Sequence, residues 1–283
     1  MWYNKYIKYK SKYINLKNIL KSQLVGGQRK KSVKRSIKQS KSIKPTVILM
    51  TTQLTPGIID KLKDLLLHEI NVYIMCDQEP ILNDKSLEKY ILYYPNKKMI
   101  ELGWVYLYDS APIITSWDKA TYFAYTLNLP YVWLVEYDVY WNNTEKIIEL
   151  FNIKNDADLI CYPQSATYKE SISWYHWKEA KINEIEKDKS KWITTFNQIT
   201  RLSNRLLKKI DEIAKTKNRL YFHEIIFGTL CNINNYKITY ITDLNLDLYI
   251  NIKWKDAFTE QQVKQFINKY KKVLLHPVKY DVL

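Results

Sequence analysis

The sequence predicts an α/β fold: a mostly parallel central sheet flanked by helices, preceded by a basic N-terminal extension. Two observations lead to this prediction. From residue 45 onward, apolar runs of strand length alternate with amphipathic runs of helix length. The strand runs are apolar throughout instead of at every second position, which is typical of parallel sheets covered by helices on both faces.

The predicted strands follow from β-branched or aromatic runs that end at polar or turn residues. They cover residues 46–53, 71–77, 131–138, 157–163 and 236–242, and a last extended segment covers residues 273–279. The predicted helices follow from apolar residues spaced three or four apart, several of them after a proline or a capping residue. They cover residues 56–70, 85–94, 115–128, 143–152, 193–216, 222–233 and 259–272.

Residues 1–44 form a region of different composition. They hold 14 of the 44 basic residues and none of the 29 acidic ones, so nearly all of the net charge of +15 lies there. An apolar seam of heptad-like spacing predicts a helix, and three roles for it stay open: packing on the protein's own surface, oligomerisation, or binding to an anionic membrane. A polar, basic linker follows, so we divide the chain into residues 1–44 and a folded domain, residues 45–283.

The composition excludes several classes of protein. The folded domain is almost balanced in charge, so we predict that it does not bind nucleic acid. The five glycines form neither a GxGxxG nor a Walker sequence. No apolar run reaches the ~20 residues of a membrane span, and no secretory signal is recognisable. Three widely spaced cysteines in apolar runs, Cys76, Cys161 and Cys231, favour buried, reduced thiols and a cytoplasmic location.

The run "VWLVEYDVYW" supplies the main candidate site. An apolar strand ends on Glu136 and Asp138, with Tyr137 between them. Alternate residues of a strand share a side, so the two carboxylates are expected together. Two adjacent buried carboxylates repel each other, and a divalent cation removes that cost. Mg²⁺ or Mn²⁺ suits such a site, with a substrate phosphate completing the coordination shell. The alternative is a pair of acids neutralised by lysines at a solvated strand end.

A second candidate ligand lies near the other end of the chain. His276 follows an apolar run in "LLHPVK", and neutral imidazole is a common metal ligand. The alternative for a lone histidine before proline is a turn residue.

These features resemble the GT-A class of glycosyltransferases, which have a Rossmann-like fold. In that class a nucleotide-binding sheet ends in a DxD or ExD motif that holds a metal, and a histidine near the C-terminus often supplies another ligand. "WLVEYDVYWNN" and "LLHPVK" are similar to those two elements, and "SWDKATYFAY" is similar to the helix before the motif strand. The resemblance covers about residues 45–283 and rests on the order and spacing of the motifs.

The resemblance implies a role for individual residues. Asp138 would be the principal metal ligand, and His276 would complete the metal site. Glu136 would bind the metal directly or through water, or contact the ribose. Lys279 would neutralise the diphosphate. The other implied donor contacts are Thr51, Thr52 and Gln53 to the nucleoside, Asp77 to the base or ribose, and Lys119 to phosphate or ribose. Glu224 or His223 would act near the acceptor, as the base for its hydroxyl. Trp174 and Trp177 would form a sugar-stacking wall or pack in the core.

The implied function is metal-dependent transfer of a sugar from a UDP- or GDP-sugar to a hydroxyl of a glycan or protein. An alternative is metal-dependent phosphoryl or nuclease chemistry, which would require a basic groove. Another is a non-catalytic glycosyltransferase-like protein whose basic N-terminus binds an anionic partner. The Lys, Asn, Ile and Tyr bias of the N-terminal segment resembles proteins of giant viruses, which implies the host cytoplasm, the virus factory or the virion.

Overall fold

A computed structural model describes residues 44–279, except residues 83, 109–110, 164–166, 175, 180 and 255. The predicted basic helix and linker of residues 1–44 therefore lie, apart from Lys44, outside the described residues.

The strands of the structure follow one another along the whole described chain. They are β1 (Thr46–Thr51), β2 (Asn71–Cys76), β3 (Ile91–Tyr93), β4 (Tyr106–Tyr108), β5 (Ala111–Ile113), β6 (Tyr131–Glu136), β7 (Tyr140–Trp141), β8 (Leu159–Tyr162), β9 (Phe196–Ser203), β10 (Ile238–Tyr240), β11 (Tyr249–Ile252) and β12 (Val273–His276).

The α-helices lie between these strands. They are α1 (Pro56–Leu66), α2 (Asn96–Glu101), α3 (Ser116–Leu127), α4 (Thr144–Phe151), α5 (His176–Glu179), α6 (Asn204–Lys217), α7 (His223–Ile233) and α8 (Glu260–Tyr270). Short 3₁₀ turns lie at Lys85–Tyr90, Ile182–Glu184, Lys189–Lys191 and Ile241–Asp243.

The central sheet has seven strands in the order β10–β8–β9–β6–β1–β2–β3. Its neighbours pair in parallel, except that β9 runs antiparallel to both β6 and β8. Apolar residues fill both faces of this sheet, in two separate clusters. The predicted α/β fold with a mostly parallel, doubly covered sheet is therefore confirmed. The three cysteines are buried as free thiols, as predicted.

Two predicted helices are wrong in part. Residues 193–216 contain the strand β9 and then α6, and residues 85–94 contain a 3₁₀ turn and then β3. In β9, Phe196, Ile199 and Leu202 recur at every third position, which is also helical spacing. All eight residues of β9 are buried although five of them are polar, so the segment shows neither the continuous apolar run of a doubly covered strand nor a period-two alternation.

A smaller sheet connects the middle of the chain with its C-terminal part. Its strand order is β11–β12–β7, with β12 parallel to β11 and antiparallel to β7. The two-residue strand β7 follows β6 after a turn, so β12 ends beside the carboxyl end of β6. None of the helices in the described part of the chain combines the length and apolar character that a membrane crossing requires.

The close approach of α7 to the segment before β9 gives a stability prediction. A Cβ at Gly228 would lie 2.8 Å from both the Ile193 carbonyl oxygen and Thr195 Cγ2. Gly228→Ala should therefore lower the free energy of unfolding by about 1–3 kcal/mol, measured by urea denaturation. Gly57→Ala, in the first turn of α1, is the matched control and should cause no loss because alanine has the higher helix propensity. Equal stability of the two variants would contradict this close packing.

Candidate metal centre and adjoining cavity

The carboxyl ends of β1, β2 and β6 lie side by side at one edge of the central sheet. In the paired registers Glu136 lies beside Met50, and Thr51 lies beside Cys76. The strand order reverses here, because β2 and β3 follow on one side of β1 while β6 lies on the other. Ligands of open α/β sheets bind in the crevice that such a reversal opens. Glu136 therefore lies at the place where the fold favours a binding site.

A tight turn brings Asp138 next to Glu136. β6 ends at Glu136, and the Val139 amide donates to the Glu136 carbonyl at 3.2 Å. Tyr137 is 39% exposed, whereas both acidic side chains contact the same imidazole. The prediction that the two carboxylates share a side is confirmed. The cause is the turn after β6, and not the alternation of residues along a strand.

Lys61 of α1 holds this turn in place. Its side chain is buried, and its Nζ donates to the carbonyls of Tyr137 at 2.6 Å and Val139 at 2.5 Å. Nζ also lies 4.8 Å from the centroid of the Trp141 ring. Burial lowers the pKa of Lys61 well below its ordinary value, and the charge of Asp138 opposes that shift. One buried amine thus fixes both carbonyls that flank Asp138.

The smaller sheet brings His276 to the same point. Leu275 of β12 lies opposite Tyr140 of β7, and His276 is the next residue and the last of the strand. Two residues later the Val278 amide donates to the Asp138 carbonyl at 2.9 Å. Backbone pairing on both sides of His276 therefore directs it toward the turn.

The three side chains converge closely. His276 Nε2 lies 3.0 Å from Glu136 Oε2 and 3.2 Å from Asp138 Oδ1. One ligand atom from each residue lies within 4.8 Å of the other two. On the other side of the ring, Nδ1 lies 3.1 Å from the Lys253 carbonyl. Because a carbonyl only accepts, Nδ1 carries a proton there and Nε2 faces the carboxylates.

The residues present fit a divalent cation. Asp138 Oδ1 is buried and, among the residues that the structure describes, receives no hydrogen bond of ordinary geometry. Burial disfavours the charged imidazole, but Asp138 and Glu136 outweigh it and raise the pKa of His276 to about 9. The Lys253 carbonyl is the kind of outer partner that orients a metal-bound histidine. Two carboxylates and one imidazole can bind such an ion once the imidazole has released its Nε2 proton, and the choice of Mn²⁺ or Mg²⁺ stays a prediction.

The start of α3 supports Glu136 from another direction. Trp117 Nε1 donates to Glu136 Oε1 at 2.7 Å, so each oxygen of this carboxylate has a neighbour. The Thr115 side chain and Asp118 form a capping box that fixes this first turn. The Trp117 ring stacks on His223 with centroids 4.2 Å apart and planes 9° apart. Trp117 therefore connects the candidate metal centre, formed by Glu136, Asp138 and His276, with the start of α7.

Both predicted acceptor-side residues lie in the first turn of α7. Asn197 Nδ2 donates to the His223 carbonyl at 3.1 Å, and Gln198 Nε2 donates to Glu224 Oε1 at 3.1 Å. Burial and the nearby charge of Glu136 raise the pKa of Glu224 to about 8. Burial, with a smaller contribution from His176, lowers the pKa of His223. Residues of β9 thus hold a carboxyl and an imidazole close to Glu136.

A cavity of about 480 Å³ lies beside the metal centre. Glu136, His276, His223 and Glu224 all line it, together with several aromatic residues. Its volume lies in the range of small-molecule sites, ~300–1,000 Å³. The predicted metal ligands and the predicted acceptor-side residues therefore share one space.

The residues predicted for the nucleotide lie on the neighbouring loops. The Asp77 amide donates to the Thr51 carbonyl at 2.9 Å, so the loops after β1 and β2 are joined. Thr51 is buried, while Thr52 and Gln53 are exposed. These placements leave the two exposed side chains able to contact a ligand.

The two predicted phosphate-binding lysines have different surroundings. Lys119 is fully buried, and its Nζ lies 3.4 Å from Asp77 Oδ1. Its contact with phosphate or ribose stays a prediction, since in this structure it holds Asp77. Lys279 is exposed, and it follows Val278, the residue bonded to the Asp138 carbonyl.

Trp174 and Trp177 pack against other aromatic rings, and their role in sugar stacking stays a prediction. Their rings contact each other with centroids 5.4 Å apart, and Trp177 is buried against Tyr168 and Trp192. The described lining of the cavity includes neither. Core packing, the alternative that the sequence left open, describes Trp177.

Sequence reasoning missed several residues of the site: Lys61, Trp117, Gln198 and Trp254. Trp117 had a local signal, because it occupies the capped first turn of a helix that precedes the motif strand. Gln198 was missed because the sequence predicted a helix where the structure has the strand β9. Lys61 had a helical signal, because it lies three residues after Ile58 and four before Leu65 and so shares their buried face of α1.

Comparison with protein-family models gives no match, and comparison with curated protein sequences gives none either. Assignment of a function therefore depends on the fold and on the geometry of the site.

The contacts of Lys61 give a second prediction. Lys61→Met should lower the free energy of unfolding by about 1–3 kcal/mol, because two loop carbonyls lose their donor. Lys63→Met, on the exposed side of α1, is the matched control and should change stability by about 0.5 kcal/mol or less. Urea denaturation measures both. If the two variants are equally stable, Lys61 does not hold the turn.

Proposed function

We propose that the protein is a metal-dependent glycosyltransferase that moves a sugar from a nucleotide diphosphate to a hydroxyl acceptor. One observation carries the proposal: Glu136, Asp138 and His276, from distant parts of the sequence, meet at the carboxyl edge of a mostly parallel sheet. The resemblance to GT-A glycosyltransferases rests on the same three residues. The seven-stranded sheet and the crevice between β1 and β6 are consistent with that class.

Each side of the site has its own task in this proposal. A divalent cation held by Asp138, Glu136 and His276 would offset the negative charge that grows on the leaving diphosphate. Thr52, Gln53 and Asp77 lie where a nucleoside would enter between the loops. Lys279 is exposed near the same turn and can approach a phosphate.

The acceptor occupies the cavity on the other side of Glu136. In a direct displacement, the acceptor oxygen forms a bond with the anomeric carbon, and the bond to the diphosphate oxygen breaks. The hydroxyl proton passes to Glu224 or His223, which both line the cavity. The raised pKa of Glu224 makes its ionised form a stronger base than an ordinary carboxylate.

The aromatic and acidic cavity argues against the nuclease alternative. None of its described lining residues is Lys or Arg, whereas a nucleic-acid groove carries basic side chains. The non-catalytic alternative depends on residues 1–44, and removal of that segment separates the two functions. An enzyme domain keeps its nucleotide binding after the deletion, and an adaptor loses its anionic partner.

The decisive test combines a donor panel with one substitution. Full-length protein with Mn²⁺ should bind or hydrolyse at least one UDP- or GDP-sugar, detected by thermal shift and by release of the nucleotide. Asp138→Asn should weaken Mn²⁺-dependent nucleotide binding by at least about tenfold, because even outer partners of metal ligands have effects of that size. Far-UV circular dichroism should remain unchanged.

Asp156→Asn is the matched control, since Asp156 is an exposed aspartate that pairs with Lys237 far from the cluster. It should bind nucleotide as the parent protein does. A panel with no binding and no turnover would overturn the proposed function, and unchanged binding in Asp138→Asn would overturn the metal assignment.

A further inference from the structure

The cavity beside the candidate metal centre is lined by acidic side chains. Three carboxyl groups line it, those of Asp118, Glu136 and Glu224, and the described lining contains no Lys or Arg. His276, which also lines the cavity, is engaged with Glu136 and Asp138. A ligand in this space therefore meets carboxyl oxygens with no Lys or Arg beside them in the described lining.

Two buried side chains in the wall present hydrogen-bond acceptors. Gln198 and Glu224 are each 5% exposed, and Gln198 Nε2 donates a hydrogen bond to Glu224 Oε1. Gln198 Oε1 is buried and has no hydrogen-bond partner in the described part of the chain. A buried oxygen without a donor is costly, so a ligand that brings N–H groups to this wall gains affinity.

The remaining wall is aromatic. Tyr106, Trp117, Tyr221, Phe222 and Trp254 line the cavity. One face of Trp117 is covered by His223, and Phe222 stacks on His176 at 4.6 Å, so these rings are held rigidly. Trp254 is 48% exposed although it is large and apolar. Aromatic faces attract cations as well as the apolar faces of sugars.

We propose that the acceptor carries a protonated amine close to its reactive hydroxyl, and that this cavity binds the amine. An ammonium group brings three donors, no acceptor and a positive charge, which suit the carboxyl groups, Gln198 Oε1 and the rings together. A neutral polyol supplies donors without the charge, and an acidic acceptor meets three carboxyl groups. This inference rests on the proposed function and names the acceptor class for it.

The test uses three probes with the same pyranose ring and different charges. Glucosamine, glucose and glucuronate are titrated into full-length protein with Mn²⁺ and UDP, at a pH near 6.5 where glucosamine is protonated. Isothermal titration calorimetry should give an affinity for glucosamine about tenfold higher than for glucose, with glucuronate weakest. Equal affinities for glucosamine and glucose, or preference for glucuronate, would overturn the inference.

Substitutions locate the binding in this cavity. Glu224→Gln keeps the shape and replaces a carboxyl oxygen with an NH₂ group that cannot accept a hydrogen bond from ammonium, so glucosamine affinity should fall about tenfold while glucose affinity stays within about twofold. Glu149→Gln, on the exposed side of α4, is the matched control and should change neither. Trp254→Leu is a second, surface variant that should weaken glucosamine binding several-fold. Unchanged glucosamine binding in both cavity variants contradicts the assignment.

Nucleotide binding, measured first in the same samples, separates this inference from the proposed function. If UDP binds with Mn²⁺ and the three sugars do not differ, the amine site is wrong and the proposed function stands. If glucosamine binds through Glu224 but no nucleotide binds, the amine site stands and the proposed function is wrong.

Discussion

The mutual repulsion of Glu136 and Asp138 is the constraint on which the rest of the site depends. Both carboxylates lie at the end of a buried strand, where water does not fully compensate their charge. Groups from three different elements contact this pair of acids. The Lys61 amine donates to main-chain carbonyls beside Asp138, the Trp117 indole N–H donates to Glu136, and the His276 imidazole lies between the two carboxylates. Each of these contacts fixes the position of one acid, so the cluster is ordered before any ion arrives.

This arrangement explains why so much of the domain converges on one turn. α1 supplies the amine, α3 supplies the indole, and β12 supplies the imidazole. The smaller sheet supports His276, since β7 and β12 pair directly beside the turn. Substitutions that loosen any of these elements are expected to act on the metal centre from a distance.

The two sides of Glu136 differ in chemistry. On one side lie the loops after β1 and β2, with exposed polar residues and a nearby lysine. On the other lies a cavity of carboxyl groups and aromatic rings. In the proposed function the first side would meet the nucleotide diphosphate and the second an amine-bearing acceptor, with the candidate metal centre between them. This separation of charge is the property that two substrates of opposite charge would need.

The sequence by itself determined the alternation of strands and helices, the separation of the basic N-terminal segment, and the candidate ligands Glu136, Asp138 and His276. These follow from local patterns, because burial on two faces makes strands continuously apolar and adjacent acids mark a strand end. Only the tertiary structure decided that residues 196–203 form an antiparallel strand, since its five buried polar residues interrupt the apolar run that marks the other buried strands. It also decided that Lys61, Trp117 and Gln198 belong to the site. Their roles come from contacts with residues far away in the chain, and such contacts leave no periodic pattern in the sequence around them.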